Sequence, residues 1–275
     1  MLSVILPASN EADYIGACLQ ALFAGHKVPG GAEVVVVANG CTDATATIAR
    51  GYADAAAAAG WGLQVLDLPR GGKIGALNAG DAAARGDLRA YLDADVLVSP
   101  ALMAELAGVL AAASGPLYAS GTPVVARARS AVTRAYARFW QTLPFVRSVA
   151  PGFGLFAVNA AGRARWAAFP PVISDDTFVR IHFRPAERVQ IAATYSWPMI
   201  EGFRALVRVR RRQDAGVQEL LRLRPDLMLN EGKAPLTPAG LIARALRHPL
   251  GFAAYAAVSI AVRMRRGGTG WTRGR

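Results

Sequence analysis

"AEVVVVANGCTDATATIARGYADAAAAAG", residues 32–60, decides the fold. It opens on an unbroken valine run, the pattern of a strand buried on both faces. A polar turn follows, with Thr42 or Asp43 as the expected N-cap, and then an alanine-rich helix that Gly60 stops. Strand, turn and helix within one short stretch is the first part of a βαβ unit.

The same unit recurs on both sides. Upstream, "LSVILP" reads as a strand ending at Pro7. After it comes a helix with apolar spacing at Ile15, Leu19 and Leu22. Downstream, "LQVLDL" is a third strand, and "GGKIGALNAGDAAARG" is a loop running into a helix. "DLRAYLDAD", residues 87–95, is a fourth strand. The next helix has Ser99 as N-cap and Pro100 in its first turn. Repeated alternation predicts an α/β fold with a mostly parallel central sheet flanked by helices. Right-handed crossovers bring the carboxyl ends of the strands to one edge, where open sheets bind ligands. Pro7 to Glu11, Ala38 to Asp43, Pro69 to Lys73 and Asp93 to Asp95 all fall there.

After residue 115 the alternation loosens. "PLYASGTPVVA", "GFGLFAV" and "RVQIAATYSW" read as strands. "SAVTRAYARFWQTLPFV", "ISDDTFVRIHF" and the arginine-rich "GFRALVRVRRRQDAGVQELL" read as helices. A helical pair near 238–247 and 250–263 follows. The expected organisation is an alternating α/β half over 1–115 and a second half of the same domain over 116–215. A C-terminal helical extension over 216–275 completes the chain.

Composition narrows the function. At 53% hydrophobic the chain is not disordered. A formal charge of +12 suits nucleic acid, an anionic bilayer or a phosphorylated substrate. No nucleic-acid module is recognisable, so nucleic acid is not an expected partner. Cys18 and Cys41 have no zinc spacing, and His26, His182 and His248 are scattered. A histidine–cysteine metal site is not expected, and a reduced, cytoplasmic setting is. No signal-peptide pattern is visible. The longest uncharged apolar run, residues 249–262, would reach about 20 Å as a helix, short of a bilayer core of roughly 30 Å. Arg244 and Arg247 precede it, and Arg263, Arg265 and Arg266 follow. This suits either a helix in an anionic membrane interface or an ordinary helix packed on the domain.

"YLDADV", residues 91–96, places Asp93 and Asp95 at a strand end, on either side of Ala94. In an extended chain both carboxylates point the same way and can hold a hard cation through oxygen, with substrate phosphates completing its shell. In "PRGGKIGALNAG" glycines before a helix allow close approach of an anion, and Lys73 supplies a point charge.

"SVILPASNEADYI", "VVVVANGCTDAT", "GGKIGALNAG", "YLDADV", "GFGLFAV" and "ISDDTFV" occur in the order and spacing of family 2 inverting glycosyltransferases. Over residues 2–215 the chain resembles that family, whose fold is the GT-A type; the resemblance implies that 1–115 is the nucleotide-sugar-binding half and 116–215 the acceptor-binding, catalytic half. The resemblance implies transfer of a sugar from an NDP-sugar to a saccharide or lipid-linked acceptor, with Mg²⁺ or Mn²⁺ as cofactor. The family's habit is bacterial envelope or exopolysaccharide synthesis. By position it implies that Pro7, Ala8, Asn10 and Glu11 line the nucleoside and that Lys73 approaches the nucleotide. It implies that Asp93 contacts ribose or supports the metal, that Asp95 ligates it, and that Asp176 is the catalytic base beside Asp175 at the substrate. Where the family often has two acids, this chain has Ala38 and Asn39, which leaves the nucleotide base unassigned; Asn39 has a donor and an acceptor to offer. The family's QxxRW motif is absent, and Arg208 and Arg211 are the expected diphosphate contacts. Gly152 and Gly154 are expected near the donor sugar, and Trp166 under the acceptor. Phe139 and Trp140 are expected in the core. The competing expectations are a non-catalytic, membrane-associated nucleotide-binding scaffold and sugar-nucleotide synthesis, whose glycine-rich signature is missing.

Overall fold

The computed structural model describes residues 1–264. Leu2–Ala8 forms β1, Ala32–Asn39 β2, Trp61–Leu68 β3 and Leu88–Leu92 β4. Between them run α1 (Ile15–Phe23), α2 (Thr45–Arg50), α3 (Ala53–Ala58) and α4 (Lys73–Ala83). These four strands pair in parallel in the order β3-β2-β1-β4. Every residue of β2 is buried, as its valine run requires. In β1 the side chains alternate: Leu2, Val4 and Leu6 pack towards α1, while Ile5 joins Leu77 of α4 on the other face.

The second half adds β5 (Leu97–Val98), α5 (Leu102–Ala112), β6 (Tyr118–Val125), α6 (Ala131–Trp140) and β7 (Leu155–Val158). Then come α7 (Ala160–Arg163), α8 (Asp175–Ile181), β8 (Arg188–Trp197) and α9 (Phe203–Leu223). The chain continues through α10 (Pro225–Met228), α11 (Pro238–Arg247) and α12 (Pro249–Met264). The eight-stranded sheet runs β3-β2-β1-β4-β7-β6-β8-β5. β7 is antiparallel to both β4 and β6, and β5 is antiparallel to β8. Parallel pairing resumes between β6 and β8. An aromatic cluster joins α6, α9 and α12, with Phe139, Trp140 and Val258 buried among Leu206 and Val207.

Several expectations are corrected. The helix expected over residues 42–59 breaks at Gly51, which sets Tyr52 against Phe23 and the bare face of Gly16. Asp43 stands just before α2 and accepts the Thr45 N–H at 3.0 Å. Ser99 does not cap α5 with its side chain; its carbonyl takes the Leu102 N–H in a preceding turn. The fourth strand stops at Leu92, and Asp93 to Asp95 form a tight turn closed by Val96 N–H to the Asp93 carbonyl. The two acids are therefore not on extended backbone. Helix α9 runs unbroken through the expected boundary at residue 215.

Candidate active site

A cleft of about 580 Å³ opens at the carboxyl ends of β1 and β4. Pro7, Asn10 and Glu11 line it from the β1–α1 loop, Lys73 from the start of α4, Asp93, Ala94 and Asp95 from the turn after β4, and Asp175 and Asp176 from the start of α8. Residues far apart in sequence thus share one cavity because each follows the end of a strand or begins a helix there.

Cross-links between loops hold the β1–α1 side of the cleft in shape. Asn10 adopts φ 54°, and its Oδ1 accepts the Thr42 N–H at 2.7 Å. The Glu11 N–H donates to Thr45 Oγ1 at 2.8 Å. Gly40, at φ 56°, lies against Gly71; a Cβ there would stand 2.5 Å from the Gly71 nitrogen, so only glycine lets the two loops meet.

The charged centre is built around Lys73. Its Nζ lies 2.9 Å from Asp93 Oδ1 and 3.1 Å from Asp175 Oδ2. Burial alone would lower its pKa, but the carboxylates of Asp175, Asp93 and Asp176 outweigh burial and hold it above the ordinary lysine value. The Asp93 N–H donates to the Gly154 carbonyl at 2.9 Å, which fixes the acidic turn to the strand beside it. Asp175 is 6% exposed, and its ion pair with Lys73 is what makes that burial tolerable. Asp176 accepts the Thr177 N–H at 2.6 Å. Burial, reinforced by the neighbouring Asp175, raises the Asp176 pKa, and Lys73 partly opposes that.

The donor set near Asp93 and Asp95 is all oxygen, which fits a hard divalent cation. Among the described residues no cluster of three or more His, Cys, Asp or Glu side chains is arranged as a metal cage. A cation held by Asp95 and Asp93 would therefore need further oxygens from a bound substrate, and the open cleft beside them has room for these.

The other residues expected at the site divide between its walls and its surroundings. Ala8 is buried, and its carbonyl is taken by Asn39 Nδ2 at 2.9 Å. Asn39 reaches the cleft wall, but both ends of its amide are engaged: Nδ2 donates to the Ala8 and Val37 carbonyls, and Oδ1 accepts the Gly72 N–H at 2.9 Å. It braces the loops at the cleft wall. Gly152 and Gly154 have positive φ; the bare face of Gly152 meets Tyr118 and that of Gly154 meets Val96 and Trp197, yet Gly154 also lines the cleft, and both glycines border a small cavity beside it shared with Lys73, Asp93, Asp175 and Asp176. Trp166 is buried on the far side of α8 with Phe169 and His182, outside the cleft. On α9, Arg208 is exposed and away from the cleft, and Arg211 donates to the Ala261 and Val262 carbonyls at the end of α12.

Other residues take those places. Trp140, Phe153 and Trp197 form an aromatic wall opposite the loops, with Trp140 and Trp197 stacked at 5.7 Å. Trp140 is buried as expected, yet it also borders the cavity. Arg210 and Arg212 line the cleft from α9, and Arg210 also pairs with Asp214. The spacing Leu206, Val209, Arg210, Gln213 marks the cleft-facing side of α9. That stripe was the signal in the sequence, hidden among several arginines.

A mixed α/β sheet with an acidic turn at its carboxyl edge, facing a second acidic pair, defines the GT-A class of nucleotide-sugar fold. A mannosyltransferase from Pyrobaculum calidifontis, solved with GDP-mannose and Mn²⁺, superposes with a TM-score of 0.59 at 22% identity, over 97% of this chain and 76% of that one. Residues 1–349 of TarS from S. aureus give 0.56 at 17% identity, over 96% and 91%. At those identities the likeness is one of fold. The family model for Glycosyl transferase family 2 matches residues 3–148, and the chain belongs to that family. An uncharacterised glycosyltransferase of Mycobacterium tuberculosis is 36% identical over 109 residues, which cover 38% of this chain and 43% of the relative. The match to a Mycobacterium bovis counterpart has the same extent. The chain thus spans less than half the length of these curated relatives.

Proposed function

We infer that the protein is a metal-dependent, inverting hexosyltransferase that moves a sugar from an NDP-sugar to an acceptor hydroxyl. The observation that carries this reading is the meeting of Asp93, Asp95, Asp175 and Asp176 around one cleft. The Pyrobaculum enzyme's complex with GDP-mannose and Mn²⁺ supports the donor class and a divalent ion.

Asp176 acts as general base. Its raised pKa suits a carboxylate that must hold a proton during the attack and release it afterwards. The acceptor hydroxyl gives its proton to Asp176 as its oxygen bonds to the anomeric carbon. The bond from that carbon to the diphosphate breaks, and its electron pair leaves with the phosphate oxygen. One displacement inverts the anomeric configuration. Asp95, supported by Asp93, would hold Mg²⁺ or Mn²⁺, which when bound neutralises charge on the diphosphate. Arg210 and Arg212 face the same cavity and add positive charge to it. Lys73 keeps Asp93 and Asp175 in register, so the donor side and the base side hold a fixed geometry.

The acceptor enters over the Trp140, Phe153 and Trp197 wall, where sugar faces stack on aromatic rings. A saccharide or lipid-linked saccharide fits this role, and the lipid-linked form would bring the enzyme to a membrane surface. A thermal-shift panel of NDP-sugars with and without Mn²⁺ tests the reading. A metal-dependent rise with one donor is expected, and the product's anomeric configuration by NMR tests inversion. A flat panel would move the protein to the non-catalytic class.

A further inference from the structure

Helices α11 and α12 carry apolar side chains that the core does not use. On α12, Leu250, Ala253, Ala257, Ile260 and Met264 are exposed and follow a three-and-four spacing, which is one helix face. Gly251, Tyr255 and Val258 lie on the other side, against α6 and α9. Ile242 and Leu246, four residues apart, form a matching exposed pair on α11. The five large side chains of the two rows are between 56% and 79% exposed. A soluble surface seldom leaves such a row uncovered.

The charge around the rows is one-sided. After Glu231 the sequence has no Asp or Glu, while Lys233, Arg244, Arg247 and Arg263 lie in its described part and four more arginines follow. Arg244 is turned inward and donates to the Thr142 and Gly240 carbonyls, so it is not a headgroup ligand. Arg247 and Arg263 are exposed beside the apolar rows. Arg265 and Arg266, expected at the same edge, lie outside the described residues.

We propose that this face docks the protein on an anionic lipid bilayer, with the apolar rows in the headgroup–acyl boundary and Arg247 and Arg263 on lipid phosphates. Charge selects the bilayer over a second copy. A self-paired face would set the arginines of α11 and α12 against one another with no carboxylate on either helix to separate them, whereas an anionic leaflet supplies the missing sign. No described helix is long and apolar enough to cross a membrane. The 16 residues of α12 reach roughly 24 Å, so the helix lies along the surface. Tyr136 and Trp140 of α6 and Arg210 of α9 line the cleft, and α12 packs against both helices. The docking face is thus one helix layer from the aromatic wall. Its use in bringing a lipid-linked acceptor rests on the transferase reading; the docking itself does not.

The test is co-sedimentation of the full chain, without nucleotide, with vesicles of phosphatidylcholine alone or mixed with phosphatidylglycerol. Binding to the mixed vesicles, and its release by high salt, is expected. The triple variant Leu246→Gln, Leu250→Gln, Ile260→Gln should weaken it by at least about tenfold. The pair Arg247→Gln, Arg263→Gln should remove the preference for phosphatidylglycerol. All three side chains of the triple variant are exposed, so its melting curve should match that of the parent chain. A parent chain that ignores both vesicles, or a triple variant that binds like the parent, overturns the proposal. So does a dimer in light scattering that the triple variant dissolves, which would assign the face to a second copy. The donor panel is unaffected by any of these outcomes, so the two readings fail separately.

Discussion

The two ends of the parallel strands hold acids in opposite circumstances. At the amino end, Glu33 is 2% exposed and surrounded by donors: the Ser3 hydroxyl at 2.6 Å, the Arg85 N–H at 2.6 Å and the Arg85 guanidinium at 2.8 Å. Burial pulls its pKa up, and these donors more than offset that, leaving it below the ordinary glutamate value. At the carboxyl end, Asp93, Asp175 and Asp176 crowd around one lysine, and the Asp176 pKa is pushed up. The first arrangement satisfies a charge to hold strands together. The second keeps acids close together at an open cleft, as a site that must take and return a proton needs. The contrast separates a structural acid from the proposed base more clearly than burial does.

The sharpest way to break the contrast is to remove the charges one at a time and ask what is lost. Asp176→Asn should lower kcat by about a thousandfold in steady-state assays, with donor binding and fold kept. Near-normal turnover would remove it as base. Glu33→Ala should do the reverse. It strands the buried Ser3 hydroxyl and the Arg85 N–H, while the exposed Arg85 guanidinium stays in water, and should cost about 2 kcal/mol in denaturant melts, with specific activity of the folded fraction unchanged. Asp95→Ala should weaken Mn²⁺-dependent nucleotide binding, read by calorimetry, by at least about tenfold, the scale that even outer-shell metal partners command. Equal affinity with and without Mn²⁺ in the parent chain would instead detach the acidic turn from metal binding.

Legibility in the sequence follows the same divide between the two halves of the sheet. The valine run of β2 and the alternation of strand and helix up to residue 115 announce themselves because each strand there is continuous and each crossover short. The convergence of Asp93, Asp95 and Lys73 on one cleft then follows from topology. The later half is harder. Its strands mix antiparallel pairs with a parallel one that carries a register shift, so which side chain reaches the cleft depends on packing that no local period encodes. Trp166 and Trp140 look alike as sequence, yet Trp166 packs behind α8 and Trp140 borders the cleft. In α9 two arginines one residue apart, Arg210 and Arg211, face the cleft and α12 respectively. The bracing by Asn39 is hidden for a different reason: a short polar side chain that braces a loop has the same local signature as one that waits for a ligand.

The smallest expected effect gives the most direct reading of the two environments, because its sign differs between them. Glu33 has a depressed folded pKa, so its contribution is present above the unfolded glutamate value of about 4.3 and lost as pH falls through the lower folded one. Asp176 has a raised folded pKa, so the folded state holds its proton more tightly than the unfolded chain does. Stability is lost as pH rises through the window between the ordinary aspartate value of about 3.9 and the higher folded one, and it stays lost above that window. Melting temperatures of the metal-free protein across the acid range, with chelator present, separate the cases. Glu33→Gln should lie below the parent at neutral pH and converge with it in acid. Asp176→Asn should lie slightly above the parent at neutral pH and also converge in acid, since a neutral amide removes the repulsion from Asp175. If both variants lie below the parent at neutral pH, Asp176 is another satisfied structural acid, and the distinction between the two ends of the sheet does not hold.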